Sequence, residues 1–150
     1  MPDNYFQPRE LECPCCGRNN FSPGLLGILN SMRRTFNRPL ILNSACRCRN
    51  YDLKLNLKKL RKDFERRKMR NGLIYRIAVE EESLKIRASS HIKGLAADIR
   101  VSSPSEMDEV LREVYQYVAP VIQRVGINFE KGFVHIDLDT EKPQCICWGY

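Results

Sequence analysis

Histidine is scarce in this chain of 150 residues: there are two, His91 and His135. Any imidazole chemistry has to use one or both. Long apolar runs are missing as well. No segment approaches the roughly 20 residues that cross a bilayer as a helix, so no membrane span is expected. The opening Met1-Pro2-Asp3-Asn4-Tyr5-Phe6 lacks the basic-then-apolar pattern of a secretory signal. The expectation is a protein held in a cytoplasm until lysis or another protein releases it. There is no internal repeat and no low-complexity tract. Aromatic residues make up only 9% of the chain, and few of them interleave the basic residues. That argues against a protein that stacks the bases of single-stranded nucleic acid.

What is present suits one globular domain spanning 1–150, expected to be a monomer. Hydrophobic residues are 43% and charged residues 29%, ordinary proportions for such a domain. The net charge of +7 favours polyanionic partners. Nucleic acid and acidic wall polymers are both of this kind, and charge does not choose between them. The seven cysteines fall into three groups: Cys13, Cys15 and Cys16; Cys46 and Cys48; Cys145 and Cys147. An odd number cannot pair fully. Without an export signal the favoured reading is buried reduced thiols acting as small hydrophobes. The alternatives are a disulfide or a second, structural zinc held by Cys13, Cys16 and partners from the other groups.

Ser22 caps a helix whose first residue is Pro23. Leu25, Leu26, Leu29, Met32 and Phe36 share one face of it. Leu40-Ile41-Leu42 reads as a short strand that delivers Ser44 and Arg47. From Asp52 to Arg70 the pattern is helical and strongly basic, with Lys54, Lys58, Lys59, Arg61, Lys62, Arg66, Arg67, Lys68 and Arg70 around Leu53, Leu57, Leu60, Phe64 and Met69. Asn71-Gly72 then marks a turn, and Leu73 to Val79 reads as a strand. Ser103-Pro104 opens a helix with Met107, Val110, Leu111, Val114 and Val118 as its apolar stripe, ended by Pro120. Two or three strands are expected around Val121 to Asn128, Phe133 to Leu138 and Cys145 to Trp148. The class is α+β, an antiparallel sheet with helices on one side.

His91 and Asp98 stand in Ser89-Ser90-His91-Ile92-Lys93-Gly94-Leu95-Ala96-Ala97-Asp98, and His135 in Phe133-Val134-His135-Ile136-Asp137. The first spacing fits a loop running through Gly94 into a strand. In the second, alternation places Phe133, His135 and Asp137 on one face and Val134 and Ile136 on the other. Two imidazoles and a carboxylate are ordinary zinc ligands, and three protein ligands with one open position make a catalytic arrangement. His91, Asp98 and His135 are therefore the candidate ligands.

These residues resemble the marks of the zinc D-alanyl-D-alanine carboxypeptidase family of murein peptidases, which includes phage endolysins. The marks are Ser89-Ser90-His91, Gly94-Leu95-Ala96-Ala97-Asp98 and the later strand histidine, His135. Ser44-Ala45-Cys46-Arg47 is similar to an upstream family element. Phe6 with Glu12-Cys13-Pro14-Cys15-Cys16-Gly17, and the ending Phe133 to Leu138 followed by Trp148, extend the likeness over nearly the whole chain. A basic helical segment near 53–87 stands as an insertion.

The resemblance implies the hedgehog/D-Ala-D-Ala peptidase fold and a zinc ion at His91, Asp98 and His135. It also implies cleavage of D-Ala-D-Ala or of stem and cross-link peptides of peptidoglycan by a phage or prophage lysis enzyme acting on the bacterial cell wall. Arg47 then binds a peptide carboxylate or steadies an oxyanion, and Ser89 donates to the substrate backbone. Many members carry an Asp or Glu three residues before the last histidine; here that residue is Gly132. Asp137, on the face of His135, is the favoured general base, and Glu130, in the preceding loop, the second candidate. The rival reading is a non-catalytic zinc module that binds wall or scaffolds a virion.

Overall fold

The Ser22 hydroxyl accepts the Leu25 N–H at 3.4 Å, and helix α2 begins at Pro23, as a serine cap ahead of a proline predicts. The computed structural model describes residues 4–67, 72–86, 89–117, 121–122 and 124–150. Expectations for Lys68, Met69, Arg70, Asn71, Arg87, Val118 and Pro120 fall outside those residues. The elements are α1 (Pro8–Leu11), α2 (Pro23–Phe36), β1 (Leu42–Ser44), α3 (Arg49–Arg66), α4 (Gly72–Ile86), β2 (Ala96–Arg100), α5 (Pro104–Tyr117), β3 (Arg124–Asn128), β4 (Phe133–Asp137) and β5 (Ile146–Gly149). No helix among the described residues is long and apolar enough to cross a membrane.

The class is α+β, and the strands form one sheet in the order β1-β2-β4-β3-β5. The sheet is mixed: β1–β2, β2–β4 and β4–β3 are antiparallel, but β3 and β5 are parallel. The expectation of an antiparallel sheet therefore fails at its last strand. The chain after β4 crosses over before returning as β5, a step that no local pattern announces.

One face of the sheet carries Ala97, Ile99, Val125, Val134 and Ile136. It is buried in one core with Leu25, Leu29 and Met32 of α2 and Met107, Val110 and Val114 of α5. Burying each large aliphatic side chain contributes about 1.5–3 kcal/mol. The opposite face carries His135 and Asp137. Helix α3 borders the hollow on that side through Asn56 and Lys59, so the helices do not all lie on one side.

Two local expectations shift. The first strand is Leu42–Ser44 rather than Leu40–Leu42; Leu40 is buried in the core instead. Residues expected as a strand from Leu73 to Val79 belong to α4. A short apolar run does not separate helix from strand. Here the run continues into Glu80-Glu81-Glu82 within the same helix, and α4 packs on α3, with the Phe64 and Tyr75 rings 5.2 Å apart edge to face.

An ion pair fastens the start of α5. Glu106 accepts from Arg38 Nη1 at 2.6 Å and from the Ser102 N–H at 2.6 Å. Burial works to raise the Glu106 pKa, but the bonds from Arg38 and Ser102 prevail and hold it below its ordinary 4.5. A lowered carboxyl pKa stabilises the fold above that range, and the gain disappears as pH falls through the folded value. Glu106→Gln should cost about 1 kcal/mol near neutrality, the lower end for a partly exposed charged hydrogen bond. Urea denaturation should show that difference shrinking once the pH is well below 4.5. An equal loss at all pH values would mean that packing, not charge, is what the substitution removes.

Candidate metal centre

The sheet register sets the site. Asp98 of β2 lies directly across from His135 of β4. His135 in turn pairs with Gly126 of β3, and Gly126 with Trp148 of β5. One rung of the sheet thus carries the carboxylate, one imidazole and the indole. The glycine in this rung is required by close approach: a Cβ at Gly126 would come within 2.6 Å of the Trp148 ring. That gap lets the indole lie 5.6 Å from the His135 ring.

His91 reaches the rung from the turn before β2. The turn is tied down on two sides, by Arg47 N–H donating to the His91 carbonyl at 3.2 Å and Ser22 N–H donating to the Gly94 carbonyl at 2.8 Å. The His91 ring donates from Nδ1 to the Ala45 carbonyl at 2.7 Å, which leaves Nε2 directed at Asp98 Oδ1, 3.4 Å away. His135 is turned the other way. Its Nδ1 faces Asp98 Oδ1 at 2.8 Å, and its Nε2 donates to Asp137 Oδ2 at 3.1 Å. One ligand atom each from His91, Asp98 and His135 lies within 4.8 Å of the others. All three residues are buried and line a cleft of about 330 Å³.

The charges form one system. Burial raises the Asp98 pKa, but bonds to His135 and His91 override it and hold the carboxyl far below its usual range. Burial lowers the His135 pKa, yet its bonds to Asp137 and Asp98 keep it above the ordinary imidazole value. Burial likewise pushes Asp137 up, and His135, then the Asp139 N–H and Arg124, bring it below the normal carboxylate value. Buried charge is tolerated here because each group is paired and hydrogen-bonded.

The donor set suits a cation. Each imidazole has one nitrogen fixed by an outside acceptor and the other directed at a shared carboxylate oxygen, the usual support of a ligating histidine. A second donor group is made of Cys13, Cys15, Cys16 and Cys48, which can also hold a metal ion.

The other expected site residues fall in different places. Ser89 lines the cleft. Arg47 does too, but its guanidinium is engaged by the protein itself: Nε donates to Ser44 Oγ at 2.7 Å, Nη1 to Asp52 at 3.0 Å and Nη2 to Asp98 Oδ2 at 2.9 Å. Asp137 is 1% exposed. Its Oδ2 also accepts from Arg124 Nε at 3.1 Å, and its Oδ1 accepts the Asp139 N–H at 3.1 Å. Glu130 is exposed in the turn between β3 and β4 and lines a neighbouring hollow that shares Asn128, Lys131 and Tyr150 with the cleft.

Several residues in and around the cleft carry no role in the sequence reading. Arg124 is one: it braces Asp137 and stacks over Trp148 at 5.0 Å. Asp52, buried against Arg47, is another. The Ser90–Asp139–Lys93 group, with Ser90 Oγ to Asp139 at 3.0 Å and Lys93 Nζ to Asp139 at 3.0 Å, is a third. Only Asp139 carried a signal, since it continues the alternation of His135 and Asp137.

Comparison with family models gives no match, and comparison with curated proteins and with solved structures gives none either.

Proposed function

We propose that the protein is a zinc-dependent peptidase of bacterial peptidoglycan, with zinc held by His91 Nε2, Asp98 Oδ1 and His135 Nδ1. The observation that carries this reading is the convergence of those atoms, each imidazole oriented by an outside acceptor. The resemblance of the sequence motifs to murein peptidases points to D-Ala-D-Ala or stem and cross-link peptides as substrates. Zinc in such a site supplies Lewis acidity towards a carbonyl and acidifies water. Lys59 and Lys142, both lining the cleft, suit a substrate that carries carboxylates or lies in an anionic polymer. The lysis-enzyme role and action at the cell wall belong to the same proposal.

The roles of the chain's own groups follow from their bonds. Asp137 sits on the far nitrogen of His135 and has both oxygens committed, so it positions His135 rather than taking a proton from water. Arg47 holds Asp98 and the start of α3 together, and only its remaining face is offered to substrate. Glu130, which lines the adjoining hollow rather than the cleft itself, is then the carboxylate proposed for proton transfer. This reverses the preference expected from strand alternation, which sees a shared face but not the partners on it.

Variants separate these roles. Asp137→Asn should weaken zinc affinity about 10–100-fold, the usual cost of removing a ligand's support. Glu130→Gln should leave zinc affinity intact and slow turnover by about 10²–10⁴-fold, the range of a positioned base. Isothermal titration with zinc and a muropeptide assay read the two effects. Normal zinc affinity with slow turnover in Asp137→Asn would return the base to Asp137.

A second reading has its own support. Among the described residues, the only carboxylates lining the cleft are Asp98 and Asp137, and both are bonded to histidine and arginine. This suits a zinc-containing module that would bind wall peptide without cutting it. Such a protein would bind muropeptides and leave them whole.

A further inference from the structure

The cysteine knuckle near the N-terminus lies apart from the histidine rung. Cys13 Sγ is 3.6 Å from Cys15 Sγ, and Cys15 Sγ is 3.2 Å from Cys48 Sγ. One sulfur from each of Cys13, Cys15, Cys16 and Cys48 lies within 4.8 Å of the rest. A zinc ion with bonds of about 2.3 Å to four sulfurs holds them about 3.8 Å apart, and the sulfur separations, from 3.2 Å to no more than 4.8 Å, bracket that value. None of the four is in a disulfide.

The backbone around these sulfurs is arranged for negative charge. The Cys48 N–H donates to Cys13 Sγ at 3.1 Å, and the Tyr51 N–H donates to Cys48 Sγ at 3.4 Å. Cys48 is the N-cap of α3, an eighteen-residue helix whose positive end favours a thiolate. The knuckle closes on itself, with Cys16 and Gly17 N–H groups donating to the Cys13 carbonyl at 3.3 and 2.9 Å. Sulfurs this close cannot all ionise unless a cation sits among them.

We propose that Cys13, Cys15, Cys16 and Cys48 bind a structural zinc ion as four thiolates, and that this ion clamps the turn carrying Arg47. The sequence places Arg47 between Cys46 and Cys48. The Cys46 N–H donates to the Leu11 carbonyl at 3.2 Å, and the Arg47 N–H to the His91 carbonyl at 3.2 Å. The turn is therefore held from the N-terminal segment on one side and from the histidine turn on the other. Fixing Cys48 to the knuckle fixes the start of α3, and with it Asp52 and the guanidinium that holds Asp98. The proposal does not depend on peptidase activity, since a structural thiolate site and the histidine site take separate ions.

Titration of the reduced, metal-free full chain with cobalt(II) tests it. The expected result is an intense near-ultraviolet sulfur-to-cobalt charge-transfer band that saturates at about one equivalent, as one tetrathiolate site requires. Cys13→Ser with Cys48→Ser should abolish the band, His91→Ala with His135→Ala should keep it, and Cys147→Ser should keep it. Hydrogen exchange of residues 44–52 should slow when the metal is added. No sulfur band in the wild-type chain overturns the site. A native chain lighter by two hydrogens, with Cys15 and Cys48 peptides cross-linked, overturns it in favour of a disulfide. Unchanged exchange over 44–52 overturns the clamp. Failure of the histidine site shows separately, as loss of the sulfur-free equivalent.

Discussion

His135→Ala should remove the zinc proposed for the histidine site and bring the proposed peptidoglycan hydrolysis to background. The substitution takes away one ligand and leaves two buried carboxylates, Asp98 and Asp137, without the imidazole between them. Asp98 keeps Arg47 and Asp137 keeps Arg124, so each carboxylate loses one charged hydrogen bond, about 1.5–3 kcal/mol, and a fall in stability should accompany the loss of metal. His135→Gln separates the two effects. A glutamine keeps a polar group near the carboxylates and spares part of the stability, while zinc content at this site still falls. Elemental analysis of the protein after dialysis, read beside its melting temperature, checks both. Full zinc content with unchanged hydrolysis in either variant would remove His135 from the site.

Gly132→Asp should destabilise the protein by about 3–5 kcal/mol, combining left-handed backbone strain with a steric clash. The substitution introduces a carboxylate where many murein peptidases carry one, three positions before the last histidine, so the resemblance alone predicts a gain of activity. The backbone predicts the opposite. Gly132 has φ of +60°, and a Cβ there would meet the Val101 carbonyl oxygen at 2.4 Å. The Val101 N–H also donates to the Gly132 carbonyl at 2.9 Å, so the two segments cannot separate without losing that bond. The absent carboxylate is therefore built into the turn between β3 and β4. Chemical denaturation of the variant reads the effect; a Gly132→Asp protein as stable as the parent, with faster hydrolysis, would show that the turn accepts a side chain.

The parts of the fold that rest on local chemistry were legible in the sequence. Ser22-Pro23 and Ser103-Pro104 mark helix starts, and Val134 and Ile136 mark the buried face of β4, because capping and alternation are properties of neighbours in the chain. The histidine site was legible for a different reason: with His91 and His135 the only imidazoles, few other ligand sets exist. What failed to show depends on partners far apart in sequence. Arg124 and Trp148 matter because β3 lies beside β4 and β5 runs parallel to β3, and no periodicity encodes that order. Alternation puts Asp137 on the face of His135 but does not report that Arg124 of β3 occupies one of its oxygens. The α4 segment was misread because Leu73 to Val79 is short and apolar, and its helical state is supported by packing on α3. The grouping of Cys48 with Cys13, Cys15 and Cys16 is made by the fold, which a search for a second Cys-x-x-Cys does not detect.

The most direct measurement is mass spectrometry of defined muropeptides, with D-alanyl-D-alanine ends or intact cross-links, incubated with the zinc-loaded wild-type chain and with its His91→Ala, His135→Ala variant. The account predicts a new peptide product from the wild-type chain, suppressed by a chelator and restored by zinc, and none from the double variant. Intact muropeptides after prolonged incubation with the zinc-loaded wild type, or equal cleavage by the double variant, would contradict it.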